Sequence, residues 1–323
     1  NTPPTILETA CIAGPKEADG PLAKYFDQCL EDEMWGEKSW EKAESKIVKQ
    51  TVNTLISKSG IPSDKIEYCF AGDLLNQCIS SSFGLRELNV PFYGIFGACS
   101  TFVEGMQLAS VFIECGINYA ICSASSHFCS SERQFRFPLE LGNQRPPTSQ
   151  WTVTGSGAAV LSKSGTGPFI THITPGKIVD MGIKDANNMG AAMAPAALDT
   201  LITHLRDTDR KPSYYDAILT GDLGLYGREI LKEFMMKEHK INISCNYNDC
   251  GVMIFDKEKQ DTHSGGSGCG CCASVFSGYF FKQLKDKKIN RILLIATGAL
   301  MNSTSSQQGE SIPGIAHAIS IEM

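Results

Sequence analysis

The chain has 323 residues, 42% hydrophobic and 20% charged, the balance of a globular protein with either two ordinary domains or one large α/β unit of two similar halves, and not of a disordered or fibrous one. A net charge of −6 and a pI near 5.6 leave no basic field for nucleic acid or an anionic membrane to feel. Thirteen cysteines lie scattered through apolar runs, as at Cys69, Cys115 and Cys122, and read as reduced small hydrophobes rather than as a disulfide framework. No run of 18 apolar residues and no basic-then-apolar amino end is present, so any membrane association is expected to be peripheral or through a partner. The sequence opens at Asn1 rather than at an initiator Met, which leaves a removed leader open.

Along the chain, short β-rich runs alternate with longer helical ones. "PTILETACIAG" (4–14) and "IEYCFAG" (66–72) read as strands, with "SWEKAESKIVKQTVNTLISKSG" (39–60) as a helix between them. "STFVEGMQLASVFIECG" (100–116) is a predicted helix, followed by strands "YAICSASS" (119–126) and "GSGAAVLS" (155–162). After "KSGTGP" (163–168) the pattern restarts with "FITHITPGKIVD", a helix near 191–207, a strand "YDAILTGD" (215–222) and a helix "GREILKEFMMKEHK" (227–240). This alternation implies a largely parallel sheet covered by helices. The stretch from Cys99 is echoed by the stretch from Cys272, each with a glycine six residues on, a later "IN" and a strand ending in small residues. The echo suggests a duplicated α/β unit, with halves at 1–165 and 166–323.

Chemistry concentrates at Cys99, in "YGIFGACSTFVEG", between a strand-like run and the first turn of a helix. Such a turn exposes a sulfur at the end of a sheet, and the free N–H groups and positive end of the helix favour thiolate and can hold an oxyanion. The alternative is one more buried cysteine among thirteen.

"GACSTFVEGMQLA", "TGSGAAVLS" (154–162) and "GSGCGCCAS" (266–274) resemble, in order, the nucleophile motif, the "GDGAAALLL" strand and the late Gly-rich loop of the thiolase and ketoacyl synthase superfamily. The resemblance implies an α/β fold of five layers, α-β-α-β-α, made of two similar halves. It also implies two further groups, His with His or His with Asn, that activate the thiol and assist carbon–carbon bond chemistry. Here Cys269 matches one of those positions and Thr220 or Gly221 the other, with Asp222 close behind. Neither a thiol nor a hydroxyl serves as base near neutral pH without a strong pKa shift, so Cys99 is expected to be a vestigial nucleophile and the protein not an enzyme. Among the six histidines only His127, at the end of the strand after the Cys99 helix, is a candidate for the same pocket; His172, His204, His239, His263 and His317 read as core or surface residues. Cys269, Cys271 and Cys272 lack the paired spacing of a zinc site, so neither metal nor cofactor is expected, and a redox pair of Cys99 with Cys269 is a minority reading.

Runs including "FAGDLLNQ", "KIVDMGIKDANNMGAAMAPAA" and "ATGALMNSTSSQQGESIPGIAHAISIE" are similar, over nearly the whole chain, to a family of stage V sporulation proteins of spore-forming Firmicutes, a degenerate branch of that superfamily. That resemblance implies a protein of the developing spore, peripheral at the inner spore membrane. It further implies that the protein binds dipicolinic acid, alone or as its calcium complex, for uptake in sporulation and release in germination. Its implied partners are other stage V sporulation A-type membrane proteins, and dimerisation through the sheet edge is usual in the superfamily. A small aromatic dianion needs donors or cations at two carboxylates and a slot for its ring. The helix amino end at Cys99 and Ser100 supplies donors. His127, Arg133, Arg136 and Arg145 are candidates for charge, Phe96, Phe135 and Phe137 for the slot, and Asp73, Thr220, Asp222 and Cys269 for the remaining lining. The competing expectation is an acyltransferase with Cys99 as nucleophile.

Overall fold

Strand "GSGAAVLS" shows none of the alternation expected of a half-exposed strand because neither of its faces meets water: as β5 (Gly155–Ser162) it is buried at every residue. The structure, a computed structural model, describes residues 3–135 and 144–323. In the first half β5 lies antiparallel to both β1 (Thr5–Ala13) and β4 (Tyr119–Ser126), and β4 continues in parallel to β2 (Tyr68–Gly72) and β3 (Phe92–Gly94). The second half repeats the scheme. There β10 (Gly314–Glu322) lies antiparallel to β6 (Phe169–Thr174) and β9 (Arg291–Ala299), and β9 continues in parallel to β7 (Ala217–Thr220) and β8 (Tyr247–Asp249). Both sets therefore run in the same order, and a single register pair, Thr5 with Phe169, joins β1 to β6.

Helices fill three layers around the two sets of strands. On the outside of the first, α1 (Trp40–Ser59) starts at Ser39, whose Oγ accepts from the Lys42 N–H at 3.3 Å, and stops at Gly60, in the left-handed region at φ 67°. It turns Val48, Val52 and Leu55 onto the sheet and packs beside α2 (Ile79–Leu85). On the outside of the second lie α5 (Met189–Asp207) and α6 (Gly224–His239), with their own apolar core around Met193, Leu201 and Leu231.

The middle layer holds α3 (Thr101–Glu114) and α7, which begins at Cys269–Ser274, passes through a π-helical turn at Val275–Phe280 and ends at Phe281–Lys285. Helix α3 packs on strands of both sets, and buried Gln107 spans the gap by donating from Nε2 to the Ala318 carbonyl of β10 at 2.8 Å. The five layers are those of the thiolase-like fold. The echo aligned Cys99 with Cys272, yet α7 starts three residues before Cys272 while α3 starts two residues after Cys99. The helix–strand unit repeats, and the two cysteines are not counterparts within it.

Small residues set the spacing of the middle layer. A Cβ at Gly157 would lie 2.3 Å from the Ala273 carbonyl oxygen of α7, so even one added methyl has to push the helix off the sheet. Gly157→Ala is expected to cost roughly 1–3 kcal/mol through overpacking, read as a lowered midpoint in chemical denaturation. An unchanged midpoint would mean that helix and strand can part without loss.

Candidate functional site

The two middle-layer helices begin side by side, and this brings Cys99 and Cys269 to one place. The turn before α3 is tight: Ala98 is held at φ 50°, in the left-handed region that costs a non-glycine residue roughly 1–2 kcal/mol. Three bonds fix it. Ser100 donates from Oγ to the Gly97 carbonyl at 2.6 Å, Thr101 from Oγ1 to the Ala98 carbonyl at 2.7 Å, and Cys269 from Sγ to the same Ala98 carbonyl at 2.9 Å. Ser100 and Cys269 are thus fully buried supports of the turn, spent on backbone carbonyls.

Cys99 itself is 5% exposed, with its sulfur 4.0 Å from Ser267 Oγ. Ser267 donates to Asp222 Oδ2 at 3.1 Å, the Gly268 N–H donates to the same oxygen at 3.0 Å, and Thr297 donates to Oδ1 at 2.7 Å. Asp222 is buried, and a second buried amide, Gln150 Nε2, donates to its carbonyl at 2.7 Å. The helix end was expected to favour thiolate at Cys99. Instead burial, then the adjacent Asp222 carboxylate, push the Cys99 thiol well above its ordinary value, with the Gly268 N–H and Ser267 hydroxyl offsetting only part of this. Burial together with an adjacent carboxyl group, itself pushed up by burial, outweighs the partial charge of a helix end.

A narrow apolar cleft opens over the sulfur, walled by Leu74, Phe96, Phe135, Met189 and Met301, with Ser131, Thr152 and Ser267 as its hydroxyls. Its volume is about 30 Å³, enough for water, which needs about 10–15 Å³, and far below the about 150 Å³ of a cavity that takes a benzene ring. Beyond the Leu74, Phe96, Phe135 and Met301 wall lies an outer hollow of about 280 Å³, lined on its polar side by Asn76, Gln77, Gln134 and Asn302. Thr152 donates to Glu132 at 3.2 Å. The Ser131 hydroxyl, 2% exposed, has no hydrogen-bond partner among the described residues.

The other expected site residues lie elsewhere. Thr220 faces away from Cys99, donating to Asp249 Oδ2 at 2.7 Å beside the Tyr247 hydroxyl at 2.9 Å. His127 is buried behind the cleft with Nε2 at 2.8 Å from the Glu33 carbonyl, and burial lowers its pKa. Arg133 pairs with Glu41 and lies over the Trp40 ring; Arg145 bonds Asp261 at 2.6 Å and lies over the Trp151 ring. Asp73 accepts from the Leu75 N–H at 2.9 Å and from the Ser81 N–H and hydroxyl at 2.8 and 2.7 Å, so it supports the wall rather than lining it. Phe96 and Phe135 do form the wall, while Arg136 and Phe137 lie outside the described residues. Ser131, Ser267 and Thr297 escaped the sequence reading; only the hydroxyl-rich runs around them hinted at polar lining. No group of three or more His, Cys, Asp or Glu side chains converges as a metal would require among the described residues. No helix among them is long and apolar enough to cross a membrane.

Comparison with known proteins agrees with this fold. The family model described as stage V sporulation protein AD matches residues 1–322. The chain is 44% identical over 318 residues to stage V sporulation protein AD of Bacillus subtilis (strain 168), covering 98% of this chain and 94% of that protein. Among solved structures, 3-oxoacyl-(acyl-carrier-protein) synthase III of Aquifex aeolicus VF5 superposes with a TM-score of 0.60 at 12% identity, covering 99% of this chain and 100% of that one. Xanthomonas campestris OleA, solved with lauric acid and lauroyl-CoA, gives 0.62 at 14%, covering 100% and 99%. At such identities the two structures show a shared thiolase-like ketoacyl synthase fold and nothing of activity.

Buried acids around the site make stability depend on pH. Burial, ahead of their charged neighbours, raises Glu17 and Glu44 to about 8 and Asp249 to about 7. The folded chain holds these protons more tightly than the unfolded one, so the associated stability is present at low pH and is lost as pH rises through those values. The histidines with lowered pKa, such as His204 at about 4, act in the opposite sense, but most of their contribution is complete by the ordinary value of 6.5, so the acids decide the trend above it. The melting temperature is expected to fall between pH 6.5 and 8.5, each glutamate contributing roughly 2 kcal/mol over that window. A flat profile would show these carboxyls to be ionised in the fold.

Proposed function

This chain belongs to the stage V sporulation protein AD family and so has a role in sporulation, and from that premise we propose that it is a non-catalytic receptor for dipicolinate, with the Cys99 cleft as the ligand's seat. The observation that carries the reading is the Ser131 hydroxyl, buried in the cleft wall with no partner among the described residues. A buried hydroxyl left unbonded is costly, and a carboxylate oxygen is the acceptor it lacks. Phe96 and Phe135 offer ring faces for a flat heteroaromatic acid.

The absence of covalent chemistry in this reading is supported by the state of Cys99. Its thiol meets a buried carboxylate rather than an imidazole, and no histidine is among the described residues that line the cleft. A nucleophile needs its proton removed, and Asp222 raises the cost of doing so. The reading extends to dipicolinate uptake into the developing spore and release in germination, with the ligand free or as its calcium complex. It places the protein at the inner spore membrane beside other stage V sporulation A-type proteins, bound peripherally. It also includes a homodimer through β3, a sheet-edge strand whose three residues are all exposed and carry Phe92 and Tyr93, because an open apolar edge favours pairing with another strand.

Calorimetric titration with dipicolinate tests the seat. Wild type and Cys99→Ala are expected to bind, Cys99→Trp to fail because the indole fills the cleft, and Ser131→Ala to bind roughly 3–10-fold more weakly for one lost hydrogen bond. Absence of wild-type binding sinks the proposal. Incubation with acyl-CoA followed by intact-mass measurement is expected to leave the chain unmodified; an acyl adduct on Cys99 would favour the acyltransferase instead.

A further inference from the structure

The cleft over Cys99 and the hollow outside it differ about ninefold in volume, 30 against 280 Å³. The wall between them includes Leu74, which faces both. A cavity that takes one benzene-sized ring measures about 150 Å³, five times the cleft's volume, so occupancy of the cleft by a pyridine ring requires the wall to move.

Residues 74–78 have the features of a moving part. Gln77 and Cys78 are consecutive non-glycine residues in the left-handed region, at φ 55° and 51°, a conformation that persists only where the surroundings impose it. Those surroundings are few and identifiable. At its ends the segment is anchored by Asp73, which accepts from the Leu75 and Ser81 N–H groups, and by Cys78, whose thiol donates to the Ile95 carbonyl at 3.3 Å. Its middle is held by the Cys78 N–H, which donates to the Leu75 carbonyl at 3.1 Å, and, among the described residues, by one side chain from the neighbouring α4 (Phe128–Phe135). Gln134 accepts from the Asn76 N–H through Oε1 at 3.0 Å and donates from Nε2 to the Leu74 carbonyl at 3.0 Å. That single carboxamide closes both bonds like a buckle, and the next residue, Phe135, lines both chambers.

We propose that residues 74–78 are a strained strap that closes the Cys99 cleft at rest, latched by Gln134, and that the ligand reaches its seat from the outer hollow only when this latch opens. The strap acts as an internal competitor of the ligand: the more stable its closed form, the smaller the fraction of molecules ready to bind. Strain at Gln77 and Cys78 pushes towards opening, and the two Gln134 bonds push towards closing. The proposal rests on the receptor reading for the identity of the ligand, although the strap itself does not depend on it.

Two variants should act in opposite directions. Gln134→Ala removes both latch bonds, and Gln77→Gly removes strain from the closed form. Without ligand, alkylation of Cys99 by N-ethylmaleimide, mapped by peptide mass spectrometry, is expected to be about tenfold faster in Gln134→Ala and several-fold slower in Gln77→Gly than in wild type. Cys11 and Cys122, buried in the core, should stay unmodified in all three. Equal Cys99 rates, or faster labelling of Cys11 and Cys122 alongside Cys99 in Gln134→Ala, overturn the strap. With dipicolinate, calorimetry is expected to show Gln134→Ala binding about tenfold more tightly than wild type and Gln77→Gly more weakly. A loss of contacts that merely loosened the wall would weaken binding and so overturn the proposal. If none of the three proteins binds dipicolinate while the alkylation rates separate as expected, the ligand assignment falls and the strap stands.

Discussion

The structure depends on two helices pressed between two sets of strands at backbone contact distance. Helix α7 can lie against β5 only because Gly157 has no side chain, and α3 approaches β2 and β4 through Gly105, whose absent Cβ would meet the Cys122 side chain at 3.2 Å. Close-packed interiors leave no slack for such a layer to slide. The amino ends of both helices are therefore fixed at one level, and their first residues share hydrogen bonds. The Cys269 thiol on the Ala98 carbonyl is the direct link. Everything that makes the site, from the left-handed Ala98 to the buried sulfur, follows from that registration.

Within the site, position and chemistry pull in opposite directions. A cysteine before a helix is placed where an activated thiol would be placed. Burial and then Asp222 reverse the electrostatics, because a buried carboxyl group is screened mainly by the donors that touch it. Three donors from Ser267, Gly268 and Thr297 hold it there. The same burial that would strengthen catalysis in a related fold here holds the proton on sulfur. Hydroxyls and carboxamides, not cations, supply the polar lining of the two chambers among the described residues.

Much of this was legible before any coordinates. The runs 119–126 and 155–162 are strands at the expected bounds, and the helix at 39–60 is delimited by a serine cap and a left-handed glycine, as local chemistry requires. Placement of Cys99 in a turn ahead of a helix was equally local. The sequence reading was weakest where a residue's role depends on the direction of its side chain. Thr220 and Asp222 are two residues apart at the end of one strand, yet the first bonds towards β8 and the second towards Cys99. Arg133 and Arg145, close in sequence to the cleft wall, each turn to an acid and an indole instead.

The sequence by itself determined the alternation of elements, the caps, the buried strands and the turn that carries Cys99, because each depends on residues within one or two turns of chain. Only the tertiary structure decided the upward shift of the Cys99 thiol, the burial of the Ser131 hydroxyl and the division of the pocket into two chambers. Those depend on groups 45 to 168 residues apart meeting at one point, as Ser267 does with Asp222 and with Cys99. A desolvated contact changes a proton's affinity or a cleft's volume only once the partner is in place, and no periodicity in the chain announces which partner that is.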